Sequence, residues 1–168
     1  MHLLRFLHPD DRFLTCERID EIISAQLPTL DADLTGKLRS IIGNTMVHGL
    51  CGIDNNHAPC ITTNRGQPAA CAKRFPKCFQ DQTVVQEDGY PVCRRRNNGT
   101  TYIGKNGFVF DNRWVVPYNP YLSWRYQAHI NVEVCASVQA IKYMHKYIYK
   151  GSDRTTIQLQ VAENADEV

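Results

Sequence analysis

The sequence predicts an α+β fold: a partial antiparallel sheet with flanking helices and a cysteine-rich loop segment. Three observations lead there. Apolar residues recur at helical spacing in 16–26, 34–49 and 136–150. Between 81 and 135 the chain alternates apolar and polar residues, with Asx-Gly turn signals between the runs. Between them, residues 48–78 hold neither period but collect His48, Cys51, His57, Cys60, Cys71 and Cys78.

A length of 168 residues suits one domain with a real core. No run of about 18 apolar residues occurs, so no membrane-spanning helix is expected. The start, MHLLRFLHPDD, lacks the long apolar run and small-residue cleavage site of a signal peptide. The net charge of +2 hides an asymmetry. Residues 1–33 carry three basic and seven acidic groups, whereas residues 34–162 carry 16 basic and seven acidic groups. A basic body suits a polyanionic partner, though solvated lysine and arginine surfaces are common. Seven cysteines, an odd number without a secretory signal, point to a reducing compartment and to metal binding or free thiols rather than disulfides.

Residues 1–7 read as a short strand that starts abruptly, and His8-Pro9-Asp10-Asp11 as a turn. Residues 16–26 have Ile19, Ile22 and Ile23 on one helical face, and Leu27-Pro28 ends the helix. Residues 34–49 read as a second helix with Asp33 as N-cap and Leu38, Ile41, Ile42 and Met46 on its apolar face. Gly43 weakens that helix and Gly49 stops it. In the cysteine segment, His48-x2-Cys51 has the close spacing that lets one turn supply two metal ligands. Cys60 and Cys71 complete a candidate Cys3His zinc site, with Cys78 as a substitute ligand. Free cysteines in a loop are the competing reading, because the spacing matches no standard finger. Lys73, Arg74 and Lys77 in the same segment are phosphate contacts or solvated surface.

Residues 81–118 read as a β-meander. Glu87-Asp88-Gly89 joins strands 83–86 and 90–94, Lys105-Asn106-Gly107 joins 101–103 and 108–111, and 112–118 is a further strand ending near Pro117. Arg94, Arg95 and Arg96 are the densest basic cluster, either a nucleic-acid contact or an exposed hairpin shoulder. Residues 99–105 match the first seven positions of a P-loop, but Asn106 stands where Ser or Thr should hold magnesium, and a strand-like GFVF follows where a helix is needed. Residues 126–135 alternate as a strand with His129, Asn131 and Glu133 on one face.

Residues 136–151 form the last predicted helix, with Gly151 as its C′ residue. At about 100° per residue, Tyr143 and Tyr147 share a face one turn apart, beside Lys146 and Lys150. The spacing alone reads equally as aromatic packing. A short strand and an acidic tail, within 156–168, close the chain.

Several of these stretches, in order, resemble one family. NRWVVPYNPYL, AHINVEVCAS and IKYMHKYIYKGSDR resemble the N-terminal region of Helitron transposases, the Helitron helicase-like domain. ERIDEIISAQLP, MVHGLCG, KRFPKCF and EDGYPVCRRR look like the same family in the same order, so the resemblance covers nearly all of residues 1–155. It implies a rolling-circle transposon nuclease of the HUH endonuclease class in the nucleus, acting on single-stranded DNA, with Tyr143 and Tyr147 as nucleophiles and Lys142, Lys146 and Lys150 around them. Such a tyrosine attacks a phosphodiester and keeps the 5′ phosphate as phosphotyrosine while a 3′ hydroxyl leaves. A phenol of pKa about 10 needs a nearby cation to be nucleophilic at neutral pH. The family implies Mg2+ or Mn2+ held by a His-hydrophobic-His pair. His2 matches the second histidine, the first has no counterpart, and His129 and Glu133 are candidates for a further ligand. The family's helicase region also has no counterpart here. The expectation is a fragment of an HUH-type nuclease fold with little or no nicking activity as written. The alternatives are a single-stranded-DNA-binding module that retains the zinc knuckle but not catalysis, and a product without a stable fold.

Overall fold

Extended segments that cross near the middle of the chain, rather than a broad sheet, hold this fold together. The computed structural model describes residues 3–134 except 4, 6, 13, 14, 32, 34, 53, 54, 63–69, 88, 89 and 106. The chain divides into two units, Met1–Ala136 and Ser137–Val168, and the second lies outside the described residues. The predicted helix 136–151 and the strand and tail after it therefore lie outside them too.

Among the described residues the secondary structure is α+β, with three α-helices and three two-stranded antiparallel ribbons in place of one partial sheet. No helix there is long and apolar enough to cross a membrane.

Helix α1 spans Cys16–Ile22, and the Thr15 side chain caps it by accepting from the Arg18 N–H. It is shorter than the predicted 16–26. From Ile23 the backbone is extended, and Ser24 and Tyr118 exchange N–H···O bonds of 2.8 Å each way. Ile23, Ala25 and Leu27 are buried while Ser24 and Gln26 between them are half-buried. That is the period of a strand, and it overrides the helical period that precedes it.

Helix α2 spans Lys37–Thr45, again shorter than predicted. Gly36, at φ 65, is the residue before it, yet Asp33 still does the capping: its carboxylate accepts from the Arg39 N–H at 2.7 Å. After Met46 the chain becomes extended, because Val116 N–H donates to Met46 O (2.7 Å) and His48 N–H to Trp114 O (2.8 Å). Gly49 therefore does not stop the helix. Gly43 lies under the Tyr102 ring, where a Cβ would come within 2.5 Å of three ring carbons.

The ribbons are β1 (Ile61–Thr62) with β2 (Ala70–Cys71), β3 (Val84–Val85) with β4 (Pro91–Val92), and β5 (Thr101–Ile103) with β6 (Val109–Asp111). The last two fall within the predicted hairpins, and β1–β2 was not foreseen. The P-loop-like residues run through β5 into a turn that leads to β6, so no helix follows them. The predicted strand 112–118 begins instead as a 3-10 turn, Asn112–Trp114, before it becomes extended.

Helix α3, Pro120–Tyr126, was also missed. Asn119 caps it by accepting from the Leu122 N–H at 2.9 Å, and Pro120 starts it. Beyond it, residues 129–134 alternate in exposure as predicted, and Val132 N–H donates to Pro117 O at 3.1 Å, but no strand pairing is assigned to them among the described residues. Val132 and Val134 pack on the Ile19, Ile23, Ala25 and Cys93 cluster.

Leu27, Ile42, Met46, Val115 and Tyr118 form the central core. Burying each such side chain contributes roughly 1.5–3 kcal/mol. Two polar side chains stitch the crossing segments around it. Asn112 Oδ1 accepts from the Leu27 N–H (2.8 Å), and its Nδ2 donates to Arg96 O (2.8 Å) and Asn98 Oδ1 (3.2 Å). The Arg95 guanidinium donates to the carbonyls of Ala25 (3.1 Å), Asn112 (3.0 Å) and Val115.

Candidate metal centre

Beside the core lies a second cluster, in which Cys51, Ala58, Phe110 and Trp114 are buried. The candidate ligands converge on it. His48 follows α2 and is fixed by its N–H bond to Trp114 O, and its ring stacks on Phe75 at 4.3 Å between centroids and 17° between planes. Cys51 comes three residues later, before Gly52 at φ 74, where glycine is favoured. Cys71 lies in β2 opposite Ile61, and Cys60 immediately precedes β1. Ala72 N–H to Cys60 O, 2.8 Å, holds the two cysteine strands together.

The ligand atoms of His48, Cys51, Cys60 and Cys71 all lie within 4.8 Å of one another. Cys71 Sγ is 3.6 Å from His48 Nε2. A tetrahedral zinc with ordinary Zn–S and Zn–N bonds sets an S···N edge of about 3.6 Å and an S···S edge of about 3.8 Å. The set therefore has the donors, the number and nearly the spacing of a Cys3His zinc centre, and it can hold a metal such as zinc. Four protein donors make a closed, structural site rather than a catalytic one with an open position.

The electrostatics agree. Burial, then the Lys73 and Lys77 cations, lower the His48 pKa, so its imidazole is neutral at pH 7 and free to bind a metal. Burial, then the neighbouring sulfurs of Cys71 and Cys60, push Cys51 up to about 12. Burial raises Cys71 as well, but hydrogen bonds from the Phe75 and Lys73 backbone and from the Cys51 and Cys60 thiols bring it below the ordinary thiol range. Three thiols this close resist joint ionisation unless a cation lies among them; a bound divalent ion makes the thiolates the favoured form. Cys78 and His57 are exposed and lie outside the set. Cys78 is thus not the substitute ligand.

The other predicted site residues are scattered or undescribed. His2, Lys142, Tyr143, Lys146, Tyr147 and Lys150 lie outside the described residues. His129 and Glu133 are exposed: the His129 ring Nδ1 faces Thr45 O at 2.7 Å, and the Glu133 carboxylate accepts from Asn131 Nδ2 at 2.9 Å. Among the described residues no third His, Cys, Asp or Glu joins them in a metal-holding group.

The arginine triplet divides. Arg95 is 4% exposed and burial lowers its pKa to about 10, which leaves it cationic but without surface to offer a phosphate. This corrects its reading as a nucleic-acid contact: its guanidinium is engaged by three backbone carbonyls, those of Ala25, Asn112 and Val115. Arg94 pairs with Asp20 at 3.0 Å, and Arg96 is exposed. Sequence reasoning missed the aromatic helix α3, although Asn119-Pro120, a cap followed by a first-turn proline, is its signal.

No protein-family model matches the chain, and a search of curated proteins finds no match.

Proposed function

We propose that the chain is the single-stranded-DNA-binding part of a Helitron-type rolling-circle transposase, organised by a zinc ion at His48, Cys51, Cys60 and Cys71. The convergence of these four ligand atoms carries the reading. Small zinc-bound loops are a recurrent way to present basic side chains to single-stranded nucleic acid. Lys73 and Arg74 are exposed in the loop that follows Cys71, and Lys77 lies half-buried beyond them. The basic excess of residues 34–162 supports the same partner. The resemblance extends the reading to DNA strand transfer through Tyr143 and Tyr147 in a nuclear transposon protein. In that reaction the tyrosine phenol gives up its proton, its oxygen bonds to phosphorus, the P–O3′ bond breaks, and the 3′ oxygen takes up a proton from solvent to leave as a hydroxyl. No group of side chains among the described residues fits a Mg2+ or Mn2+ centre.

The test is to measure metal content and DNA binding on the same preparation. The expected result is one zinc per chain and salt-dependent affinity for single-stranded DNA. If Lys73, Arg74 and Lys77 each meet a phosphate, they contribute about −2 to the slope of log affinity against log salt. Absence of either zinc or DNA affinity overturns the reading. A covalent DNA adduct that disappears in Tyr143→Phe/Tyr147→Phe is the signature of strand transfer.

A further inference from the structure

Helix α3 turns an aromatic and cationic face to solvent. Tyr121 is 71% exposed and Trp124 43%, and Arg125 is exposed as well. Their spacing of i, i+3 and i+4 puts all three on one side, away from fully buried Ser123. Lys37 of α2 places its Nζ 4.7 Å above the Trp124 ring, and the Arg125 guanidinium lies 5.9 Å from the ring of exposed Tyr126. Helices α2 and α3 pack on each other, and neither contains an Asp or Glu. The mount is rigid. Asn119 caps α3 and also donates to Ile22 O at 2.8 Å, and the adjacent Tyr118 hydroxyl donates to Gln26 O at 2.8 Å.

Large aromatics cost free energy to leave in water, and here the two helices that carry them and the cations beside them hold no carboxylate of their own. Flat rings flanked by cations and free of carboxylates are what successive nucleobases and their phosphates require. An apolar or acidic peptide would use the cations or the rings, but not this alternation of both. We propose that this face is a base-stacking platform for single-stranded DNA: Tyr121 and Trp124 stack on bases, while Lys37 and Arg125 meet the flanking phosphates. The proposal rests on the DNA-binding reading above and adds a surface remote in sequence from the zinc loop.

The test uses the fluorescence of the zinc-loaded full chain. Trp124 is exposed and Trp114 is 5% exposed, so quenching by a stacked base reports on Trp124. Titration with a short oligothymidylate is compared with an abasic oligonucleotide of equal phosphate number. The expected result is quenching and tight binding for the first and weak, unquenched binding for the second. Trp124→Ala and Tyr121→Ala each weaken oligothymidylate binding by about 5- to 150-fold. Trp124→Phe keeps most of the affinity, which separates stacking from a folding defect. Equal affinity for both oligonucleotides, with Trp124→Ala binding as wild type, overturns the platform and leaves the DNA-binding reading standing. Failure to bind either oligonucleotide overturns both. Binding of a protein partner through α3 without DNA affinity also overturns the platform.

Discussion

Replacing Cys71 by serine tests the metal centre at its best-defined edge, the 3.6 Å between Cys71 Sγ and His48 Nε2. The four donors come from three short pieces of chain: the stretch after α2, the residue before β1, and β2. Among the described residues the β1–β2 ribbon pairs Ile61 with Cys71 and Thr62 with Ala70, too little by itself to hold two strands together in water. The ion is therefore expected to supply much of the local stability. At free zinc 100-fold above its dissociation constant, linkage stabilises the folded chain by about 2.7 kcal/mol. For a chain of this size that raises the melting temperature by roughly 5–10 °C. Losing an outer-shell partner alone costs about 10- to 100-fold in metal affinity, and losing a ligand costs more. Cys71→Ser should therefore lose its zinc on dialysis and melt at the temperature of the chelator-treated wild type. Cys78→Ser, altered outside the set, should keep both zinc and melting temperature. Metal analysis of dialysed protein and thermal melts with and without chelator check this. Hydrogen exchange should then show loss of protection in residues 47–75 while the Leu27, Ile42, Met46, Val115 and Tyr118 core stays protected. A Cys71→Ser chain that retains one zinc, or a wild type whose melting temperature ignores the chelator, refutes the reasoning.

Two further predictions concern the core that carries the site. Burial pushes the Tyr118 phenol from 10 up to about 12. Above about pH 10 the unfolded chain loses this proton while the folded chain keeps it, so stability should fall by roughly 2–3 kcal/mol between pH 10 and 12. Tyr118→Phe should flatten that stretch of the curve in urea melts, and an unchanged alkaline slope would count against a buried neutral phenol. In helix α2, Gly43→Ala should destabilise by about 1–3 kcal/mol, because its Cβ meets the Tyr102 ring at 2.5 Å. In a Tyr102→Ala background the same change should instead stabilise by up to about 1 kcal/mol through helix propensity. Denaturant unfolding of the four variants measures the cycle, and additivity would exclude the contact.

Much of the local structure was legible in the residues. Turn chemistry placed β3–β4 and β5–β6 in the right pairing, and apolar spacing located α1 and α2. Their ends were misread where two periods overlap: Ile23, Ala25 and Leu27 satisfy a strand's alternation as well as they extend a helix, and the backbone of Tyr118, about 90 residues away, decides for the strand. Helix α3 was missed because its exposed aromatics carry no apolar stripe, although its cap and proline were in plain view. Similarly, Arg94, Arg95 and Arg96 are alike on paper. One of them is interior because its guanidinium donates to the carbonyls of Ala25, Asn112 and Val115, which segments far apart in the chain bring together.

The metal centre divides along the same line. The sequence by itself determined the donor types and the close pair His48 and Cys51, because two ligands three residues apart are a local matter. Only the tertiary structure decided that Cys60 and Cys71 complete the set while Cys78 and His57 stay outside. The pairing of Ile61 with Cys71 and the Trp114 carbonyl that anchors His48 make that choice. Periodicity and turn chemistry act over a few residues. Convergence of four ligands depends on contacts between segments far apart in the chain, and no local pattern records them.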